Sequence, residues 1–279
     1  MQYTMSKDWQ DYIKQAEESW LLLDVAFLVA LQLEQEPKVG IARDKLLEMK
    51  QELGARITKT AALYSRLQAL NEYFFVELGF HGNHEDFFAE DNSFLDKVID
   101  TRCGNPITMS ILYIELAAAI GFEVKGINFP GHFLVQVQLD DHQQVLDPYN
   151  QAQPLDAEEL EDLLAKHKII LHSDKELSGY LDVASKRDIL IRLLRNLKNI
   201  YIEQQASEKA LLTIELILSL DNTVIDEIRD RGMIYHYLDY TAGARRDLTA
   251  YLELQEDNDE HKIIKSLIES LDDQATVLH

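Results

Sequence analysis

A histidine and an aspartate fifteen residues apart carry the first hint of chemistry in this chain. His132 heads an alternating segment, HFLVQVQL, and Asp147 closes the next apolar run, QVLDPY. If the two runs are antiparallel strands turning about Asp140 and Asp141, Leu134 falls opposite Asp147. His132 then sits one diagonal step from Asp147 on the same face, within side-chain reach. A carboxylate so placed fixes an imidazole in one tautomer, and the imidazole can activate a nucleophile. Taken alone, the pair also reads structurally, as a satisfied histidine at a domain edge and an aspartate closing a turn before proline.

Two nucleophiles lie upstream. Cys103 is preceded by Arg102, whose charge favours a thiolate. It lies before a helix start rather than on the helix, and a lone cysteine is also commonly an inert apolar residue. Ser110 lies one turn into that helix, four residues after Pro106. Its hydroxyl is either a nucleophile or a donor back to the helix backbone. A second cluster, GFHGNHED, sets His81 and His84 beside Glu85 and Asp86. These are ligand types for a divalent metal, but no further ligand follows, and no metal or other cofactor is expected. No GxGxxG, Walker, HExxH or CxxC pattern occurs.

The elements that must position these residues can be read from periodicity. The N-terminal 78 residues read as three helices. The first starts at Asp8 or Asp11 and carries Leu22, Val25, Leu28, Val29 and Leu33 at helical spacing. Pro37 and Gly40 break it. The second runs from Ile41 to Leu53 and the third from Lys59 to Leu78, followed by a polar loop opened by Gly79 and Gly82. A short helix from Phe94 to Asp100 leads to RCGNP. Asn105 is a natural N-cap and Pro106 a natural first helical residue. The helix ITMSILYIELAAAI then runs to Gly121, apolar almost all round and so central and buried. Three strands follow: FEVKGINF, HFLVQVQL and QVLDPY. Phe133, Val135, Val137 and Leu139 share one face of the middle strand. A small acidic helix spans 156–165.

From Asp188 the chain is helical and repeats itself. An offset of 34 residues aligns Leu194 with Ile228, Tyr201 with Tyr235, Ala210 with Ala244, Ile214 with Leu248 and Leu218 with Leu252. Thirty-four is the tetratricopeptide period, and the small residues at 210 and 244 sit where paired helices approach. Lys198 stands where Gly232 stands one period later. Residues 259–270 read as a capping helix. Tyr201 and Tyr235 are expected to fill helix-pair cores.

Composition narrows the function classes. The formal net charge of -22 repels nucleic acid and anionic membranes. It permits a protein or peptide partner with a basic segment, and reads equally as plain solubility. One cysteine excludes an internal disulfide and fits a reducing, cytoplasmic setting. The run Leu21–Leu33 is short and interrupted by Asp24, so no membrane span is expected.

The stretches LGFHGNHEDFF, RCGNPITMSILYIELAAAIGFEVKGINFPGHFLVQV and LDPYN closely resemble the SirB family of bacterial proteins. RNLKNIY and IRDRGMIYHYLDYTAGARRDLTAYLEL in the tail resemble it too, so the likeness covers roughly residues 65–255. The resemblance implies an α+β fold: a helical N-terminal region, a transglutaminase/papain-like core of helix and antiparallel sheet, then all-α tetratricopeptide-like repeats. The expected domains are residues 1–165 and 186–279. In the wider superfamily a cysteine opens the core helix, a histidine begins a strand and an aspartate ends the next. The resemblance places the histidine at His132 and the aspartate at Asp147. It places the cysteine at Pro106, fifteen residues before Gly121, and proline has no nucleophile. The expected function is therefore a non-catalytic interaction or regulatory module, with Gly104, Asn105, Pro106, Ser110 and Gly131 shaping the cleft. The alternative is a thiol-dependent amidase, peptidase or transglutaminase using Cys103, His132 and Asp147.

Overall fold

The computed structural model describes residues 5–140, 142–255 and 259–277. They divide into two compact units, one spanning Ser6–Asn196 and one beginning at Leu197.

In the first unit, helices α1 (Lys7–Ile13), α2 (Leu22–Leu33), α3 (Val39–Arg56) and α4 (Leu63–Asn71) come first. The expected single opening helix is thus two, separated by a 3-10 turn at Glu17–Ser19. Ser6 caps α1 by accepting from the Trp9 N–H. The third expected helix is α4 continued by a π-helical segment, Glu72–Glu77. Then come β1 (His81–Gly82), α5 (Leu95–Thr101), β2 (Cys103–Gly104) and α6 (Pro106–Ala119).

The sheet follows as β3 (Val124–Ile127), β4 (Leu134–Gln138), β5 (Gln143–Asp147) and β6 (Gln153–Leu155), paired in that order and antiparallel throughout. Helices α7 (Ala157–Lys166) and α8 (Asp174–Gly179) complete the unit, and α9 (Lys186–Glu203) runs through its boundary.

Helix α6 is the centre of this unit. The Asn105 side chain accepts from the Thr108 N–H at 3.1 Å, and the Asn105 N–H donates to Thr108 Oγ1 at 3.1 Å. This capping box, with Pro106 as the first helical residue, sets the start of α6. Ile107, Met109, Ile111, Leu112, Tyr113 and Leu116 are fully buried, so apolar residues surround the helix axis.

β4 pairs Val135 with Leu146, a register that brings Leu134 opposite Asp147. The hairpin turn at Asp140 and Asp141 includes Asp141, which lies outside the described residues. Just across it the Leu139 N–H donates to the His142 carbonyl at 2.9 Å. The sheet is covered on both faces. Ile127, Leu134 and Val145 pack with Leu160 and Leu164 of α7, while Val135 and Val137 are buried on the face toward α6. A single apolar face on β4 was the expectation. The added layer comes from α7 and α8, which follow the sheet in the chain.

The second unit holds α10 (Ser207–Leu220), α11 (Ile225–Tyr237), α12 (Thr241–Leu254) and α13 (Asp259–Val277). Ala210 and Ala244 are fully buried. A Cβ added at Gly232 would stand 2.9 Å from Leu248 Cγ, so α11 and α12 touch closely there. Among the described residues no helix is long and apolar enough to cross a membrane.

Candidate functional site

The site is assembled from three places: the start of α6, the approach to β4 and the end of β5. Asp147 is 3% exposed and accepts four hydrogen bonds. The Tyr149 and Asn150 N–H groups donate to its Oδ1 at 3.0 and 3.4 Å. Asn150 Nδ2 and His132 Nε2 reach its Oδ2 at 2.6 and 2.9 Å. Burial alone would raise its pKa. The bonds from His132 and Asn150 outweigh burial and hold the carboxyl below the ordinary carboxylate value.

His132 does not begin the strand as expected. It lies in the turn two residues ahead of β4, after Gly131, which has a φ of 70°. Its Nδ1 accepts from the Phe133 N–H at 2.8 Å. A neutral imidazole in this setting carries its proton on Nε2, toward Asp147, and its basic lone pair meets a backbone donor.

Tyr149 walls this pair. Its ring centroid lies 5.9 Å from His132 and 4.5 Å from His84, and its hydroxyl donates to the Asn83 carbonyl at 2.6 Å. Burial, then the charges of Cys103 and Asp147, push its pKa to about 12. A Cβ at Gly82 would lie 2.5 Å from the Tyr149 ring, so β1 can pass only as glycine.

Beside His132 is a cavity of about 20 Å³, lined in part by Phe87, Pro106, Ile107, Arg192 and Asn196. The first residue of α6 therefore shares a cavity with the imidazole, and that residue is a proline. Ser110 is fully buried and donates to the Phe133 carbonyl at 3.4 Å rather than back to its own helix. Gly104 packs so closely on Thr108 and Val98 that a Cβ would meet them at 2.8 and 2.9 Å.

Cys103 lies near Tyr149 but outside the cavity. It pairs with His81 across the short parallel β1–β2 contact, is half-buried, and is not among the residues lining the His132 cavity. The expectation that Arg102 would favour its thiolate is reversed. Burial, then the Glu85 carboxylate, push the thiol up. The Arg102 guanidinium turns away, to the Ile99 carbonyl and over the Phe80 ring. His81 contacts the Gly79 carbonyl through Nδ1 at 3.0 Å and His84 packs on Tyr149. Among the described residues no group of His, Cys, Asp and Glu is arranged to hold a metal.

Comparison with known proteins places this arrangement. Residues 41–195 match the family described as the transglutaminase-like superfamily, and residues 197–269 match the tetratricopeptide repeat. A UPF0162 protein of Xylella fastidiosa strain 9a5c is 40% identical over 68% of each chain. The chain belongs to the transglutaminase-like SirB1/UPF0162 family. A second UPF0162 protein, from X. fastidiosa strain Temecula1, is 33% identical over 88% of each chain. Protein SirB1 of Salmonella typhimurium is 25% identical over 85% of this chain and 86% of its own. No solved structure matches. The SirB-like resemblance and the α+β-then-helical fold class read from the sequence both hold.

Two residues beside His132 in this SirB1/UPF0162 chain escaped the sequence. Arg192 lies on α9, sixty residues beyond His132, and reads there as an ordinary helix charge. Tyr149 follows Pro148 in LDPYN, where the aromatic was the only available signal. In the helical unit, a cavity of about 320 Å³ is lined in part by Tyr201, Ile202, Asp230, Met233, Ile234 and Tyr237. Tyr201 and Tyr235 are buried, as expected, whereas Tyr237 is 66% exposed at the rim.

Proposed function

We propose that the protein is a non-catalytic, cytoplasmic binding module of the transglutaminase-like class, whose helical unit docks a segment of another protein. One observation carries the loss of catalysis: Pro106, which has no nucleophile, occupies the first position of α6 and shares the cavity with His132. Gly104, Asn105, Ser110 and Gly131 then serve the cleft as backbone turns, a cap and a buried hydroxyl.

The docking surface is the cavity between α9 and α11. Ile202, Met233 and Tyr237 are exposed there in one patch, with Asp230 beside them. An apolar anchor flanked by Lys or Arg fits this patch and the net charge of -22. The test is affinity capture at low and moderate salt with wild type and Tyr237→Ala, followed by titration of the captured partner's basic segment as a peptide. Binding that weakens with salt and falls at least tenfold in Tyr237→Ala supports the reading. Salt-independent binding, or equal binding by the variant, opposes it.

A second reading is an amidase, peptidase or transglutaminase using Cys103, His132 and Asp147. The intact His132–Asp147 bond favours it. The raised thiol and its place outside the cavity weigh against it.

A further inference from the structure

Arg192 is an anomaly in this molecule. The chain carries 49 acidic and 27 basic residues, yet no described carboxylate pairs with this guanidinium. Its hydrogen bond is to Asn128 Oδ1, at the long distance of 3.5 Å. It is half-buried, and burial, followed by the neighbouring Arg195 charge, lowers its pKa. A half-buried guanidinium with no ion pair keeps N–H groups available to an anion. Two further residues that carry donors line the same cavity. Asn196 lines the cavity. The Ile107 N–H, in the first turn of α6, has no acceptor among the described residues. A helix start of this length also favours negative charge. Asp147, the acid of the site, is occupied by His132 and Asn150 and does not line the cavity.

The other lining residues are His132, Gly131 and four apolar ones. Phe87, Pro106 and Ile107 form walls, and Phe87 and Phe88 stand 42% and 59% exposed outside. About 20 Å³ accommodates a group the size of one water or one carboxylate, not a bulky head group.

We propose that the His132 cleft is a carboxylate-recognition site, in which Arg192 forks the carboxylate and the aromatic rim takes the apolar body that bears it. A guanidinium suits a planar carboxylate because its N–H groups bond both oxygens at once. The carboxylate can be a peptide C-terminus or a free small acid. This site goes beyond the docking of a partner on the helical unit, and it stands or falls separately from the Tyr237 test.

Chemical-shift titration of the full-length protein tests it. The probes are N-acetyl-leucine and phenylacetate as free acids, acetyl-Gly-Gly-Leu with a free C-terminus, the amide of each, and inorganic phosphate. The expected result is saturable binding of the acids, at least tenfold weaker for the matching amides, with shifts at Ile107, His132 and Asn196. Arg192→Gln is expected to weaken the acids at least tenfold and Arg192→Lys by less. The acid-versus-amide comparison needs only wild-type protein, so it stands even if a variant misfolds. Tighter peptide than free-acid binding assigns the carboxylate to a chain terminus, and the reverse assigns it to a small metabolite; both support the site. Equal binding of acids and amides, no saturable acid binding, a preference for phosphate, or unchanged affinity in a folded Arg192→Gln would overturn it.

Discussion

Asp147 shows how one residue couples the site to the fold. It accepts from the Tyr149 and Asn150 backbone N–H groups and from the Asn150 and His132 side chains. Asp147→Ala leaves buried donors unpaired and is expected to cost about 2–4 kcal/mol in urea unfolding at neutral pH. The pH dependence follows from its depressed pKa. A carboxylate bound more tightly to its charge in the folded state stabilises fully above its unfolded value. That contribution is lost as pH falls through the folded value. Asp147→Asn is therefore expected to flatten the acid limb of stability below about pH 4.

Glu34 behaves in the opposite sense. Its buried side chain meets Lys97 at 2.9 Å, but burial and the adjacent Asp96 outweigh that partner and raise its pKa to about 7. Lys97, at the more exposed end of the pair, is raised by the same contact. Glu34 thus favours the fold when protonated, and stability falls as pH rises from 4.5 to about 7. Glu34→Gln is expected to remove that slope, read as unfolding midpoints across the window. An unchanged slope contradicts the assignment.

At the scale of elements, what could be read from sequence depended on how local the signal was. The start of α6 was legible because Asn105, Pro106 and Thr108 act within one turn. The register of β4 on β5 was legible because alternation and a short turn leave one pairing that puts Leu134 opposite Asp147. β6 was not, since it is three residues long and contains Pro154. The β1–β2 contact was not, since two residues carry no periodicity. Arg192 was missed because its neighbours come from α6 and the turn before β4, and a tertiary contact leaves no mark on helical spacing.

The repeat departs from its own pattern at Lys198, where the next unit has Gly232. The structure explains this departure. Lys198 is buried and bonds Glu227 at 2.7 Å and Asp230 at 2.6 Å. Lys198→Met would take the Lys198 ammonium from Glu227, which is fully buried. The expected loss is about 3–5 kcal/mol, measured by chemical unfolding of the full chain. The double variant Lys198→Met with Glu227→Leu is expected to recover much of it. Equal loss in the single and double variants would show that the pair does not act as a unit.

At the scale of the molecule, the net charge of -22 acts against compactness through self-repulsion. Salt screens it, so the thermal midpoint is expected to rise between about 10 and 200 mM sodium chloride. A midpoint that falls would mean that specific ion pairs, such as those of Arg231 with Asp247 and Glu215, outweigh the general repulsion.

The molecule as a whole combines a retained His132–Asp147 pair with a proline where the resemblance puts the nucleophile, and a thiol that does not line the His132 cavity. The pH dependence of Cys103 alkylation by iodoacetamide, in wild type and in His132→Ala, tests this most directly. The account predicts one profile for both proteins, with a thiol that titrates above the ordinary cysteine value. A thiolate already formed at neutral pH in wild type, and lost in His132→Ala, would contradict it.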